Sequence, residues 1–253
     1  LLPAMCMRRL VYGGIFAPDA EKATCWTRLF RKGVDSRLEI GKGHVFYKKR
    51  LYRVMGENAT ASAGAVIAHH TTPLNLVLRE LRSAEQAAKK QGGRDAFSIR
   101  LLKRAGGDVH LVSPWFVSSD SNKPGEKSLL SSPMGRLIEL QQTVAGESFS
   151  RRATYLVQQW AQQIPDADLL SGEDAYLNLL QTTLAYQFAR QSTPTAREQN
   201  SELGRQLAQL GLETQGRNGS DRPDEFLVNF LAVAEFLARQ GRGDRQQKEN
   251  AHV

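Results

Sequence analysis

Two cysteines, each followed three residues later by an arginine, are the residues with the most distinctive chemical spacing. Cys6 begins Cys-Met-Arg-Arg and Cys25 begins Cys-Trp-Thr-Arg, so Arg9 and Arg28 stand where a four-cysteine zinc knuckle has its second thiolates. Two thiolates leave a tetrahedral zinc site incomplete, and an arginine beside the missing ligand repels the cation. We therefore expect no cofactor and a region that folds without metal, with zinc at Cys6 and Cys25 as the open alternative.

Basic and aromatic side chains are interleaved through the first fifth of the chain. Residues 1–53 carry 12 basic and 4 acidic side chains, a net charge of +8, whereas residues 131–253 carry 12 basic and 15 acidic ones. Such a basic segment favours a polyanionic partner, because neutralised phosphates release condensed counterions. The predicted nucleic-acid-binding residues are Arg8, Arg9, Arg28, Arg31, Lys32, Arg37, Lys42, Lys48, Lys49, Arg50, Arg53, Lys123 and Lys127.

The aromatic residues of this segment have two interpretations. Rings beside cations can stack on splayed bases while arginines hold phosphates. They can equally form a small core whose charged face is solvated. We expect packing of Tyr12, Phe16, Trp26 and Phe30 to hold the region together, which leaves Arg9 free to contact phosphate.

Motifs for catalysis are scarce. The sequence has no Gly-x-Ser-x-Gly elbow, Walker loop or His-Glu-x-x-His, and Gly92-Gly93 and Gly106-Gly107 match no phosphate-loop pattern. His69 and His70 are adjacent, and adjacent residues of a strand point to opposite faces, so we expect a structural or solvent-facing role for them. The sequence thus predicts no catalytic residues and a non-enzymatic protein; scattered nuclease carboxylates are the alternative.

Hydrophobic periodicity and turn residues divide the chain into four predicted parts. Residues 1–60 form a basic, irregular and β-containing region in which His44–Val54 is a strand or hairpin arm, and residues 61–132 form a mixed α/β segment. In that segment Thr72 and Pro73 start a helix, and Ser118–Ser132 is a mobile loop.

The rest of the chain has helical periodicity. Residues 133–241 carry apolar residues at helical spacing with short connections, which predicts an antiparallel helical bundle ending at Gly241. Residues 242–253 are polar and are expected to form a flexible tail. The predicted fold class is α+β.

Composition limits the class of protein. The 253 residues are 41% hydrophobic and 24% charged, which is typical of a globular protein. No apolar run approaches the roughly 18 residues of a membrane helix. A signal peptide has its basic residues before its apolar segment, whereas Arg8-Arg9 follow the opening apolar residues. We expect a soluble, cytoplasmic protein with no membrane partner.

The half-preserved knuckle at Cys6-x-x-Arg9 and Cys25-x-x-Arg28, the basic body that follows and the helical second half resemble the Csf large subunit of type IV CRISPR effector complexes. The resemblance implies a non-enzymatic subunit of an antiviral ribonucleoprotein. Its implied partners are crRNA at the 5′ end, double-stranded target DNA with its protospacer-adjacent motif, and other effector subunits. The alternative is a helical scaffold or regulatory protein whose basic N-terminal arm docks an acidic partner.

Overall fold

The computed structural model combines helices with two small sheets and describes residues 1–13, 39–41, 44–47, 50–56, 59–104, 106–117, 132–161, 163–165, 172–217 and 222–250. The predicted α+β class is confirmed. The strands are β1 Glu39–Gly41, β2 His44–Tyr47, β3 Arg50–Arg53, β4 Ala63–Ile67, β5 Ala96–Leu102 and β6 Asp108–Pro114. The helices are α1 Leu2–Gly13, α2 Leu74–Lys90, α3 Pro133–Ala145, α4 Arg152–Ala161, α5 Glu173–Arg190, α6 Arg197–Glu213 and α7 Pro223–Asn250.

The start of the chain is a helix and not the irregular segment that was predicted. Leu2, Cys6 and Arg9 are buried along α1 at i, i+4 and i+7, which is the spacing of one helical face. The sequence prediction missed this face because a cysteine and an arginine belong to it. Cys6 therefore lies in the core, whereas Cys25 lies outside the described residues.

Strands β1, β2 and β3 form an antiparallel sheet in that order. His44 pairs with Arg53 and Tyr47 with Arg50. The single strand or hairpin arm predicted over His44–Val54 therefore contains two strands that pair with each other. All four residues of β3 are exposed. After β3, the Met55 N–H donates to the carbonyl of Tyr12, which ties this strand to the end of α1.

The second sheet has the order β4-β5-β6, with β4 parallel and β6 antiparallel to β5. Helix α2 makes the crossover from β4 to β5 and packs on one sheet face. There a Cβ on Gly64 would lie 2.6 Å from the Glu85 nitrogen, so only glycine permits this close approach of helix and strand. The helix begins at Leu74, one residue later than predicted, and Pro73 precedes it without a side-chain cap.

The opposite sheet face packs on the helices of the second half. Phe97, Ile99 and Leu101 of β5 share one core cluster with residues of α1 and of α3 to α7. The sheet and the predicted bundle therefore pack together around a common core. A tilted ring pair between Phe97 and Trp115, 5.0 Å between centroids, lies at the start of β5.

Two predicted boundaries in the second half differ from the structure. The last helix continues through Gly241 and ends at Asn250, beyond the predicted stop. Ser132 was expected to end the mobile loop Ser118–Ser132, but it is buried and is the N-cap of α3. Its Oγ accepts a hydrogen bond from the Gly135 N–H at 3.0 Å. Residues 118–131 lie outside the described part of the chain. Among the helices described, none has the length and apolarity needed to cross a bilayer.

Candidate functional site

The carboxyl ends of the parallel strands β4 and β5 meet at one edge of the second sheet. The chain leaves β4 at Ile67 into His69 and His70, and it leaves β5 at Leu102 into Lys103 and Arg104. Ile67 pairs with Leu101, so these two exits are adjacent. In open α/β sheets, ligands bind outside the carboxyl ends of the strands. We call His69, His70, Lys103, Arg104 and Asp108 the hairpin edge.

Positive charge and helix geometry make this edge attractive to anions. Lys103 and Arg104 are exposed on the turn between β5 and β6. Helix α2 starts directly after the loop that follows β4, so its N-terminus, with a partial positive charge, lies at the same edge. Gly106 and Gly107 have φ angles of 88° and 80°, a left-handed conformation that keeps the turn short. Phosphate oxygens are the ligand class that this combination binds best.

His69 is part of the hairpin edge. Its ring centroid lies 4.2 Å from that of His70, and its Nδ1 accepts the Thr71 N–H at 3.3 Å and lies 2.7 Å from the Thr71 Oγ1. Partial burial, His70 and the cation of Arg104 each lower the pKa of His69. The neutral ring then carries its proton on Nε2, and a bound anion would reverse the shift.

Asp108 supplies the carboxylate of the hairpin edge. Its side chain is 56% exposed at the first position of β6, with the Arg100 guanidinium 4.0 Å away. Arg100 also forms an ion pair with Glu80 of α2, so Glu80 is held on the helix side of the sheet. Arg100 thus contacts both carboxylates, and more than half of the Asp108 side chain stays exposed.

Polar residues support this arrangement on the face beneath α2. His110 lies opposite Arg100 in the antiparallel register, and its Nε2 lies 2.9 Å from the Ser98 Oγ. Burial and the nearby Arg100 lower the pKa of His110, while Asp108 and Glu80 oppose that change. A neutral His110 therefore fits beside the arginine without adding a second buried cation.

Arg9 has a different role from the predicted one. Its side chain is 1% exposed; its Nε donates to Asp95 Oδ1 at 2.8 Å, and a terminal nitrogen donates to Asp95 Oδ2 at 3.0 Å. Asp95 Oδ1 also accepts the Ala61 N–H at 3.2 Å. The expectation that Arg9 contacts phosphate is wrong, because this bidentate ion pair fixes α1 to the turn before β5 and removes the guanidinium from solvent.

The turn that presents Asp95 is conformationally unusual. Arg94 and Asp95 have φ angles of 64° and 45°, which non-glycine residues rarely adopt. The Trp115 N–H donates to the Asp95 carbonyl, and the indole N–H donates to the Ala61 carbonyl at 2.7 Å. These bonds hold the strained turn in place, so the carboxylate is already oriented toward Arg9.

The other predicted binding residues are only partly placed. Arg8, Arg50 and Arg53 are exposed, as a surface role requires, and Tyr12 and Tyr52 are exposed near them on α1 and β3. The remaining predicted residues lie outside the described part: Arg28, Arg31, Lys32, Arg37, Lys42, Lys48, Lys49, Lys123 and Lys127. Their role in binding stays a prediction.

Sequence reasoning missed the hairpin edge. Gly106-Gly107 was compared only with phosphate-loop patterns, and Asp108 was never considered as a functional residue. The available signal was a glycine pair followed by an acidic residue between two apolar segments, Phe97–Leu102 and Val109–Val112.

Residues 43–98 match the family model for Cas10/Cmr2, second palm domain. The matched residues include β4, α2 and the start of β5, and they end shortly before the β5–β6 turn. They make up less than a quarter of the 253 residues. The match supports a Cas10-like CRISPR large subunit, without specific support for the type IV Csf subunit. No curated protein matches the chain significantly.

The match also corrects the prediction of a non-enzymatic protein. A palm domain has a polymerase- and cyclase-like fold, so similarity to one points to enzymatic activity. The sequence prediction was wrong because it rested on missing motifs of other enzyme classes.

Proposed function

We propose that this chain is a Cas10-like large subunit of a CRISPR effector ribonucleoprotein and that its hairpin edge binds the phosphates of a nucleotide. The observation that carries the proposal is the position of the hairpin edge. His69 and His70 lie within the residues similar to a palm domain, and Lys103, Arg104 and Asp108 follow shortly after them. Lys103 and Arg104 supply cations, the N-terminus of α2 adds a partial charge, and Asp108 supplies an exposed carboxylate.

Polymerases use divalent cations, so a palm-like site needs side chains that can bind such an ion. Magnesium is usually held by one or two carboxylates together with substrate phosphates, and Asp108 fits such a site. Within the described ranges, no three His, Cys, Asp or Glu side chains converge to hold a metal without help. The residues thus fit one magnesium ion shared with nucleotide phosphates, whose charge it would neutralise. Lys103 and Arg104 would orient those phosphates.

Nucleotide binding by the full chain tests this proposal. Isothermal titration with ATP, GTP, CTP and UTP, with and without magnesium, should show binding that magnesium strengthens. Asp108→Asn should remove the magnesium dependence, and Arg104→Gln should weaken binding in both conditions. Arg205→Gln is the matched control, because Arg205 is an exposed helical arginine away from this edge, paired with Glu202. Magnesium-independent binding unaffected by Asp108→Asn would refute the proposal.

Consumption of the bound nucleotide is measured in the same samples. A palm with enzymatic activity should turn over at least one nucleoside triphosphate, alone or with bound RNA, and Asp108→Asn should stop it. Turnover that survives this substitution would place the active centre elsewhere.

We also propose that exposed arginines of the N-terminal region contact crRNA and the protospacer-adjacent region of target DNA. Arg8 on α1 and Arg50 and Arg53 on β3 support this, because bidentate arginines suit phosphates and base edges. Replacing Arg50 and Arg53 by glutamine should weaken binding and flatten its dependence on log salt by about one unit per lost phosphate contact. Salt-insensitive capture of an acidic protein, with no effect on nucleic-acid affinity, would favour the scaffold alternative instead.

A further inference from the structure

Helices α4 and α5 present a second group of arginines and tyrosines in the half of the chain whose net charge is negative. Arg151 is exposed just before α4, Arg152 and Tyr155 are exposed in its first turn, and Tyr186 and Arg190 are exposed at the end of α5. We call these five residues the helical patch. Residues 131–253 carry an excess of acidic side chains, so nothing in the overall charge of this half indicates such a group.

Backbone pairing brings the two halves of the helical patch together. Phe149, just before α4, forms a β-bridge with Ser192, just after α5. The Ser150 N–H donates to the Gln191 carbonyl at 2.9 Å, and the Thr193 N–H donates to the Ser148 carbonyl at 2.9 Å. The beginning of α4 and the end of α5 are therefore joined, and all five residues lie within about two helical turns of that junction.

The charges of the helical patch are not neutralised by ion pairs. Arg136, Arg205 and Arg222 in the same half each pair with a carboxylate. By contrast, Arg151, Arg152 and Arg190 have no carboxylate within 4.0 Å among the side chains that the structure describes. Three guanidinium groups at one junction create a positive potential that attracts a polyanion.

The two tyrosines add flat apolar surface to this positive region. Tyr155 is 58% and Tyr186 57% exposed, although aromatic side chains of this size are usually buried to a greater extent. The Tyr155 hydroxyl accepts a hydrogen bond from Gln159 Nε2 at 3.1 Å, which restrains the ring on the helix surface. Exposed rings between arginines are the arrangement on which unpaired bases stack while the cations hold the backbone.

We propose that the helical patch binds single-stranded nucleic acid, with bases stacked on Tyr155 and Tyr186 and phosphates held by the three arginines. A single strand fits better than a duplex, because paired bases do not offer their faces to a tyrosine ring. This site is separate from the hairpin edge and from the N-terminal arginines. It does not depend on whether the palm binds a nucleotide.

Photocrosslinking of the full chain identifies the contact directly. A 4-thiouridine-containing single-stranded RNA and a 5-bromodeoxyuridine-containing single-stranded DNA serve as probes, and mass spectrometry locates the crosslinked residues. At least one probe should crosslink to peptides containing Tyr155 or Tyr186. Crosslinks confined to residues 1–56, or to the hairpin edge, would overturn the proposal.

Affinity measurements test the energetic role of the patch. Tyr186→Ala should weaken binding of a fluorescent single-stranded oligonucleotide about tenfold, within the range found for loss of one stacked base. The double variant Arg152→Gln/Arg190→Gln should lower the salt slope by about 1.4, since each phosphate contact on a single strand contributes roughly 0.7. Arg205→Gln is the control for removal of a helical charge and should change neither quantity.

Two further readouts keep the outcome unambiguous. These side chains lie at the surface, so the melting temperatures of the patch variants should match that of the unmodified chain. A patch variant that folds normally and binds the strand as well as Arg205→Gln does would refute the proposal. Tyrosine variants that lose only the capture of another protein subunit, and keep their affinity for the strand, would refute it as well.

Discussion

Replacing Arg9 by methionine tests whether this residue stabilises the fold through Asp95 or contacts phosphate, as the sequence predicted. Methionine keeps an unbranched apolar stem in the core but removes the guanidinium that binds Asp95. Breaking a buried ion pair from one side typically costs about 3–5 kcal/mol, because the remaining charge loses its partner. Asp95 is 20% exposed and keeps the Ala61 N–H, so we expect a smaller loss of about 2–4 kcal/mol.

Thermal and urea unfolding measure this loss. For a chain of this size, each kcal/mol lowers the melting temperature by about 2–4 °C, so a decrease of roughly 5–15 °C is expected. The double variant Arg9→Met/Asp95→Asn should be more stable than the sum of the two single losses predicts, because the second change removes the unpaired carboxylate.

Arg8→Met is the matched control for Arg9→Met, because Arg8 is exposed on the same helix. Its free energy of unfolding should stay within about 0.5 kcal/mol of the unmodified value. Below the melting transition, Arg9→Met should bind oligonucleotides with unchanged affinity and salt slope. An Arg9→Met protein that is fully stable but has lost nucleic-acid binding would contradict the structural account.

Three further predictions follow from packing and protonation. Gly204→Ala should lower the free energy of unfolding by about 1–2 kcal/mol, measured by urea titration, because the new Cβ would lie 2.8 Å from the Leu184 backbone. This loss is expected even though alanine has the better helix propensity. Gly211→Ala should be near neutral in the same titration, because its Cβ would meet only side chains at 3.3 Å or more. His110 has a lowered pKa, so the unfolded state binds more protons and stability should fall as pH drops below about 6.5; His110→Gln should flatten that decrease. Phosphate binding should raise the lowered pKa of His69, so nucleotide affinity should increase as pH falls from about 7.5 to about 6. Calorimetry in buffers of different ionisation enthalpy should detect the accompanying proton uptake. His69→Gln should remove this pH dependence.

Local patterns in the sequence were enough to predict most helices and the extended structure of His44–Val54. The apolar residues of α2 recur at helical spacing, and Gly92-Gly93 ends that pattern where the structure ends the helix at Lys90. The alternation across His44–Val54 predicted extended structure there, although as one strand or hairpin arm and not as the two paired strands β2 and β3. Each of these features depends on residues within one element or its turn.

Features that depend on contacts between distant segments were not predictable. Strand β5 was missed because Ser98 and Arg100 interrupt its apolar residues, and they do so because one sheet face carries a polar network beneath α2. The hairpin edge required knowing that β4 pairs in parallel with β5. The helical patch was not predicted because the net charge was counted over the whole of residues 131–253, where acidic residues outnumber the arginines of the patch.

The ion pair between Arg9 and Asp95 joins residues that are 86 positions apart. A ribosome adding about 5–20 residues per second needs about 4–17 s to add the residues that separate them. During that time α1 has left the ribosome with a guanidinium group that still has no buried partner, and its apolar face is uncovered. Growing chains that contain α1 but not yet the turn before β5 should therefore be substrates for chaperones that bind apolar helices.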